Sequence, residues 1–124
     1  MQAQQILFVE DDPIAGLSTS EFIRDRGFRV VDACCAEEAK RVIDRYSYLS
    51  ALVTDIELGA GDDGFALARQ ARAAYPDLPV VFISGTAASR HATEGVEGSV
   101  FLNKPYHPRQ IVEAIRTMPS VRTT

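Results

Sequence analysis

Apolar residues gather in five short runs, and four of these lead straight into a polar or charged side chain. They are Ile6-Leu7-Phe8-Val9, Phe28 to Ala33, Ala51-Leu52-Val53-Thr54-Asp55, Pro79-Val80-Val81-Phe82-Ile83 and Ser99-Val100-Phe101-Leu102. Short runs rich in β-branched and aromatic residues predict strands. Strands that are apolar throughout, rather than alternating, are covered on both faces, as in a parallel sheet. The second run is the least apolar, broken by Arg29 and Asp32.

The intervening segments read as helices. Asp12 is a natural N-cap and Pro13 suits a first turn, so the first helix runs from Pro13 to about Arg26 and ends at Gly27. Its apolar pattern of Ile14, Leu17, Phe22 and Ile23 is imperfect and is weakened by Ser18-Thr19-Ser20. Ala36 to Arg45 carries Ala39, Val42 and Ile43 at helical spacing. After a loop from Glu57 to Gly64, a third helix spans Phe65 to Ala74 and stops at Tyr75-Pro76-Asp77. A weak helix over Ala87 to Thr93 and a firmer one over Pro108 to Met118 complete the set. In the last, Ile111, Val112, Ile115 and Met118 face inward, and Ser120 to Thr124 is left as a tail. Strand and helix alternate five times with no repeat and no linker, which predicts one domain over residues 1–124. The expected fold is α/β: a doubly wound, flavodoxin-like five-stranded parallel sheet in the order 2-1-3-4-5.

Composition narrows the function classes. The chain of 124 residues is 46% hydrophobic and 24% charged, ordinary for a globular domain. Its net charge of −4 argues against direct DNA binding, which needs clustered Lys and Arg. No apolar run approaches the roughly 20 residues of a membrane span, and Met1-Gln2-Ala3-Gln4-Gln5 lacks the features of a signal peptide. A cytoplasmic location is therefore expected. Cys34 and Cys35 are adjacent, poorly placed for an unstrained disulfide, and are expected as two reduced thiols, one or both packed.

In the order 2-1-3-4-5, the first, third, fourth and fifth strands are consecutive. Their carboxyl ends deliver Glu10 and Asp11, Asp55, Ser84 and Lys104 to one rim. Three neighbouring carboxylates repel one another, and a hard divalent cation relieves the repulsion. An all-oxygen donor set suits Mg2+ rather than Zn2+. With an ammonium and a small hydroxyl alongside, the rim becomes a site for a phosphoryl group carried by Asp55 itself.

These pieces resemble the receiver domain of two-component response regulators, over nearly all of the chain. The resemblance rests on Ile6-Leu7-Phe8-Val9-Glu10-Asp11-Asp12-Pro13, Leu52-Val53-Thr54-Asp55, Asp63-Gly64-Phe65, Pro79-Val80-Val81-Phe82-Ile83-Ser84-Gly85 and Phe101-Leu102-Asn103-Lys104-Pro105-Tyr106, in order and at the family's spacing. It implies that Asp55 is the phospho-acceptor and Asp11 a direct Mg2+ ligand. Glu10 would act mostly through water, and the Glu57 backbone carbonyl would complete the protein ligands. Ser84 and Lys104 would contact the phosphoryl group, Phe101 would be the switch aromatic, and the Lys104-Pro105 bond would be cis. The implied partners are a histidine kinase or histidine phosphotransfer protein and a downstream protein target. The target would meet the face made by the fourth helix, fifth strand and fifth helix. Such a module catalyses only its own phosphorylation and dephosphorylation. It is expected as a stand-alone regulator, monomeric or weakly dimeric.

This chain also departs from the family pattern. The Glu57-Gly64 loop is one residue longer than the commonest form and lacks its Pro. An acid at Glu57 is unusual and is expected to position or repel the water that removes the phosphoryl group. Phe101 lacks the hydroxyl of the Tyr often found there. Two other readings compete: a small flavodoxin-like nucleotide or cofactor binder, and a degenerate receiver acting as a constitutive interaction module. For the first, Gly59-Ala60-Gly61-Asp62-Asp63-Gly64 matches a dinucleotide fingerprint. It follows the wrong strand, however, and Asp62 and Asp63 would repel a pyrophosphate. The intact set of Glu10, Asp11, Asp55, Ser84 and Lys104 argues against the second. His91 and His107 are expected as solvated surface residues.

Overall fold

In the computed structural model, which describes residues 4–46, 48–86 and 88–118, each predicted run forms a strand. These are β1 (Gln5–Val9), β2 (Arg29–Ala33), β3 (Ala51–Asp55), β4 (Val80–Ser84) and β5 (Val100–Asn103). All pair in parallel, in the order β2-β1-β3-β4-β5. The sequence pattern explains the placement. β3 and β4 are buried along their whole length and sit inside the sheet, whereas β2 and β5, with exposed or half-buried positions, form its edges.

Successive strand residues point to opposite faces, and the core divides accordingly. Leu7, Val9, Leu52, Val80 and Phe82 meet helices α2 (Ala36–Arg45) and α3 (Gly64–Ala74) on one face. Ile6, Phe8, Ala51, Val53, Val81 and Ile83 meet α1 (Pro13–Asp25) and α5 (Pro108–Thr117) on the other. The short α4 (Ala88–Glu94) follows β4. Its expected first residue, Ala87, and the expected tail from Ser120 lie outside the described residues. Elsewhere, element ends differ from expectation by a single residue.

The helix signals act as the residue chemistry requires. Asp12 caps α1 by accepting the Ile14 and Ala15 N–H groups, and Asp63 caps α3 by accepting that of Ala66. Gly27 follows the α1 C-cap with φ of 96°. His107 caps α5 in a reciprocal pair with Gln110. The imperfect apolar pattern of α1 does not mark its buried face. Its buried face is Gly16, Thr19, Ser20 and Ile23, while Ile14 and Leu17 are 85% and 56% exposed. Gly16 lets α1 lie close to the end of β1: a Cβ there would come within 3.0 Å of Glu10 Cγ.

Candidate functional site

Strand register assembles the site. Val9 pairs with Thr54, Asp55 with Ile83, and Ser84 with Asn103. The residue after each strand partner therefore lands on one rim, so Glu10 adjoins Asp55, Ser84 lies one step beyond, and Lys104 one step beyond that. Glu10, Asp55 and Ser84 are buried, whereas Asp11 is exposed. Carboxylate oxygens of Glu10, Asp11 and Asp55 lie within 4.8 Å of one another. The Lys104 Nζ is 3.1 Å from Asp55 Oδ1 and 3.4 Å from Glu10 Oε2. On the other Asp55 oxygen, Oδ2, the Asp11 backbone N–H donates at 3.3 Å.

Lys104 is aimed by its backbone, whose N–H donates to the Ser84 carbonyl at 3.0 Å, and the Lys104-Pro105 bond is cis, as expected. The turn after β3 is equally constrained. A Cβ on Gly64 would fall 2.2 Å from the Asp55 carbonyl oxygen, so α3 can start here only on a glycine.

Burial raises the pKa of Asp55. The Lys104 charge and the hydrogen bonds from Lys104 and Asp11 pull it back, and the charge of Glu57 adds to the rise. One ammonium does not balance three carboxylates. The donors are all oxygen and all hard, which fits Mg2+.

Residues 6–116 match the family model of the response regulator receiver domain. The chain belongs to that family. A response regulator receiver protein of Anaeromyxobacter sp. (strain Fw109-5) is 32% identical over 110 residues, which are 89% of this chain and 43% of that protein. The crystal structure of a response regulator receiver protein from Sinorhizobium medicae WSM419 has a TM-score of 0.90 at 32% identity, covering 94% of each chain. The chemotaxis response regulator CheY4 of Vibrio cholerae shares the fold at a TM-score of 0.82 and 18% identity, covering 95% of this chain and 100% of its own. The receiver spans about half the length of the curated relatives it matches. No helix among the described residues is long and apolar enough to cross a membrane.

Beyond the carboxylates, the receiver holds two arrangements that the sequence did not reveal. The Ser84 hydroxyl donates to the Glu57 carboxylate, 2.8 Å from Oε1 and 3.1 Å from Oε2. His91 is half-buried rather than solvated. Its ring lies 5.7 Å from those of both Phe82 and Phe101, and its Nε2 bonds Ser99 Oγ at 2.9 Å. Phe101, the expected switch aromatic, is thus half-buried against α4. Arg90 ties α4 to the start of α3 through Asp63 at 3.0 Å. His107 is exposed, as expected, but serves as a helix cap. Cys34 and Cys35 are unpaired thiols, Cys34 exposed and Cys35 half-buried. In the glycine-rich loop, Asp62 pairs with Lys40 and Asp63 caps α3, which uses both acids structurally.

Proposed function

We propose that Asp55 accepts a phosphoryl group from a phosphohistidine of a histidine kinase or histidine phosphotransfer protein, with Mg2+ bound. The modified receiver then binds a downstream protein differently through the α4–β5–α5 face. The observation that carries this reading is the Lys104 ammonium 3.1 Å from Asp55 Oδ1, inside a cluster of carboxylates. Lys104 and the Asp11 N–H orient the two Asp55 oxygens. One oxygen attacks phosphorus and the P–N bond breaks, its electron pair returning to the imidazole nitrogen. Lys104 and Ser84 then donate to the phosphoryl oxygens. Glu10, Asp11, Asp55 and the Glu57 carbonyl would hold Mg2+, which supplies positive charge against the carboxylate and phosphoryl oxygens.

The new group adds about −1.5 to −2 charges. Drawing Ser84 and Lys104 toward it pulls on the ends of β4 and β5, on Phe101 and on α4. Such a change acts only through a difference in partner affinity between the two states. Ile14 and Leu17, exposed on α1 beside the rim, give the phosphoryl donor an apolar patch to dock on.

The test is intact mass after incubation with Mg2+ and acetyl phosphate. The parent should gain one phosphoryl group and Asp55→Asn none. Equal labelling of the two would reject Asp55 as the acceptor.

A further inference from the structure

The Ser84 hydroxyl has a single proton to donate. In the unmodified receiver that proton goes to the Glu57 carboxylate, at 2.8 and 3.1 Å from its two oxygens, while the hydroxyl oxygen accepts the Thr86 N–H at 3.0 Å. Glu57 leaves the chain two residues after Asp55, and its carboxylate reaches back across the rim to the end of β4. We infer that the Glu57 side chain is an internal competitor for Ser84: it occupies the hydrogen bond that a phosphoryl group on Asp55 needs. This rests on the phospho-acceptor reading above and makes Glu57 a positioning residue for it.

Two anions cannot share one proton, so modification of Asp55 requires Glu57 to release Ser84. Like charge works in the same direction, because the Glu57 carboxylate already acts electrostatically on Asp55. Release is easy, since Glu57 is an exposed residue and its carboxylate regains water when it swings out. The arrangement is a reversible hold on the switch hydroxyl. It biases the receiver toward its unmodified state and raises the donor strength needed to change it.

The experiment measures the dissociation constant of beryllium fluoride with Mg2+, a stand-in for the phosphoryl group, by titration calorimetry. The proteins are the parent, Asp55→Asn, Glu57→Gln, Glu57→Ala, Ser84→Ala and the Glu57→Ala/Ser84→Ala pair. Glu57→Ala should bind about five- to tenfold tighter than the parent, the scale of one charge-assisted hydrogen bond trimmed by solvent. Glu57→Gln keeps an acceptor oxygen without the charge and should fall between them. On the Ser84→Ala background, most of the Glu57→Ala gain should be lost, leaving only the smaller like-charge part. In the metal-free protein, the Thr86 amide resonance should move in Glu57→Ala, because the hydroxyl that accepts it no longer donates to Glu57.

An unchanged affinity or an unmoved Thr86 resonance overturns the inference while leaving the acceptor reading intact. A gain undiminished without Ser84 also overturns it, because the carboxylate would then act through its field alone. Equal binding by the parent and Asp55→Asn removes the acceptor reading and the inference together.

Discussion

The fold raises the pKa of Asp55 in the metal-free receiver. Burial works against its charge, Glu10 and Asp11 crowd it, and Lys104 offsets only part of this. Asp55→Asn keeps the shape and removes the charge. In EDTA it should therefore stabilise the protein by about 1 kcal/mol, roughly 3–5 °C in Tm for a domain of this size. A lower Tm for Asp55→Asn would mean that the Lys104 attraction outweighs burial and repulsion. The five rim residues were legible because each lies at or just past the end of an apolar strand, where sequence order fixes position. The directions of Glu57 and His91 were not. Glu57 turns toward Ser84, twenty-seven positions away, and His91 packs between rings from β4 and β5. Those directions are set by tertiary neighbours that no local pattern encodes.

At the level of elements, the connection from β3 to α3 is a tight joint. The sequence shows a run of glycines there, and pattern alone cannot say which one matters. Gly59 has φ of 80°, with open space where a Cβ would sit. Gly64 has backbone against it, at 2.2 Å from the Asp55 oxygen and 2.9 Å from Ile56 Cα. Gly59→Ala should therefore cost about 1 kcal/mol, the price of a left-handed alanine. Gly64→Ala should cost about 2–4 kcal/mol, because β3 or α3 must shift. Urea unfolding of the two variants measures the difference, and equal losses would refute the close approach. The strands and most helices were readable from apolar runs, caps and turn residues. The buried face of α1 was not, because Gly16 fits against Phe8 and Glu10 while Thr19 and Ser20 hydrogen-bond Tyr106 and Asp32.

For the whole molecule, a sheet sealed on both faces leaves its acidic rim as the main place where charge is concentrated against the fold. The metal-free receiver and its Mg2+ complex should accordingly respond to pH in opposite senses. With the Asp55 pKa raised on folding, the folded chain binds more protons than the unfolded one between the two pKa values. Stability from this group is then present at lower pH and lost as pH rises. Mg2+ competes with the proton for the same carboxylate, so its stabilisation grows as pH rises. At a Mg2+ concentration of about ten times Kd, mass action adds roughly 1.4 kcal/mol, or about 4–7 °C in Tm. Thermal unfolding in EDTA and in Mg2+ at about pH 5 and about pH 8, with NaCl matched for ionic strength, separates specific binding from screening. The Mg2+ increment should be larger at the higher pH and nearly absent in Asp55→Asn. An increment reproduced by NaCl, or one retained in Asp55→Asn, would show that the rim carboxylates do not act together on one cation.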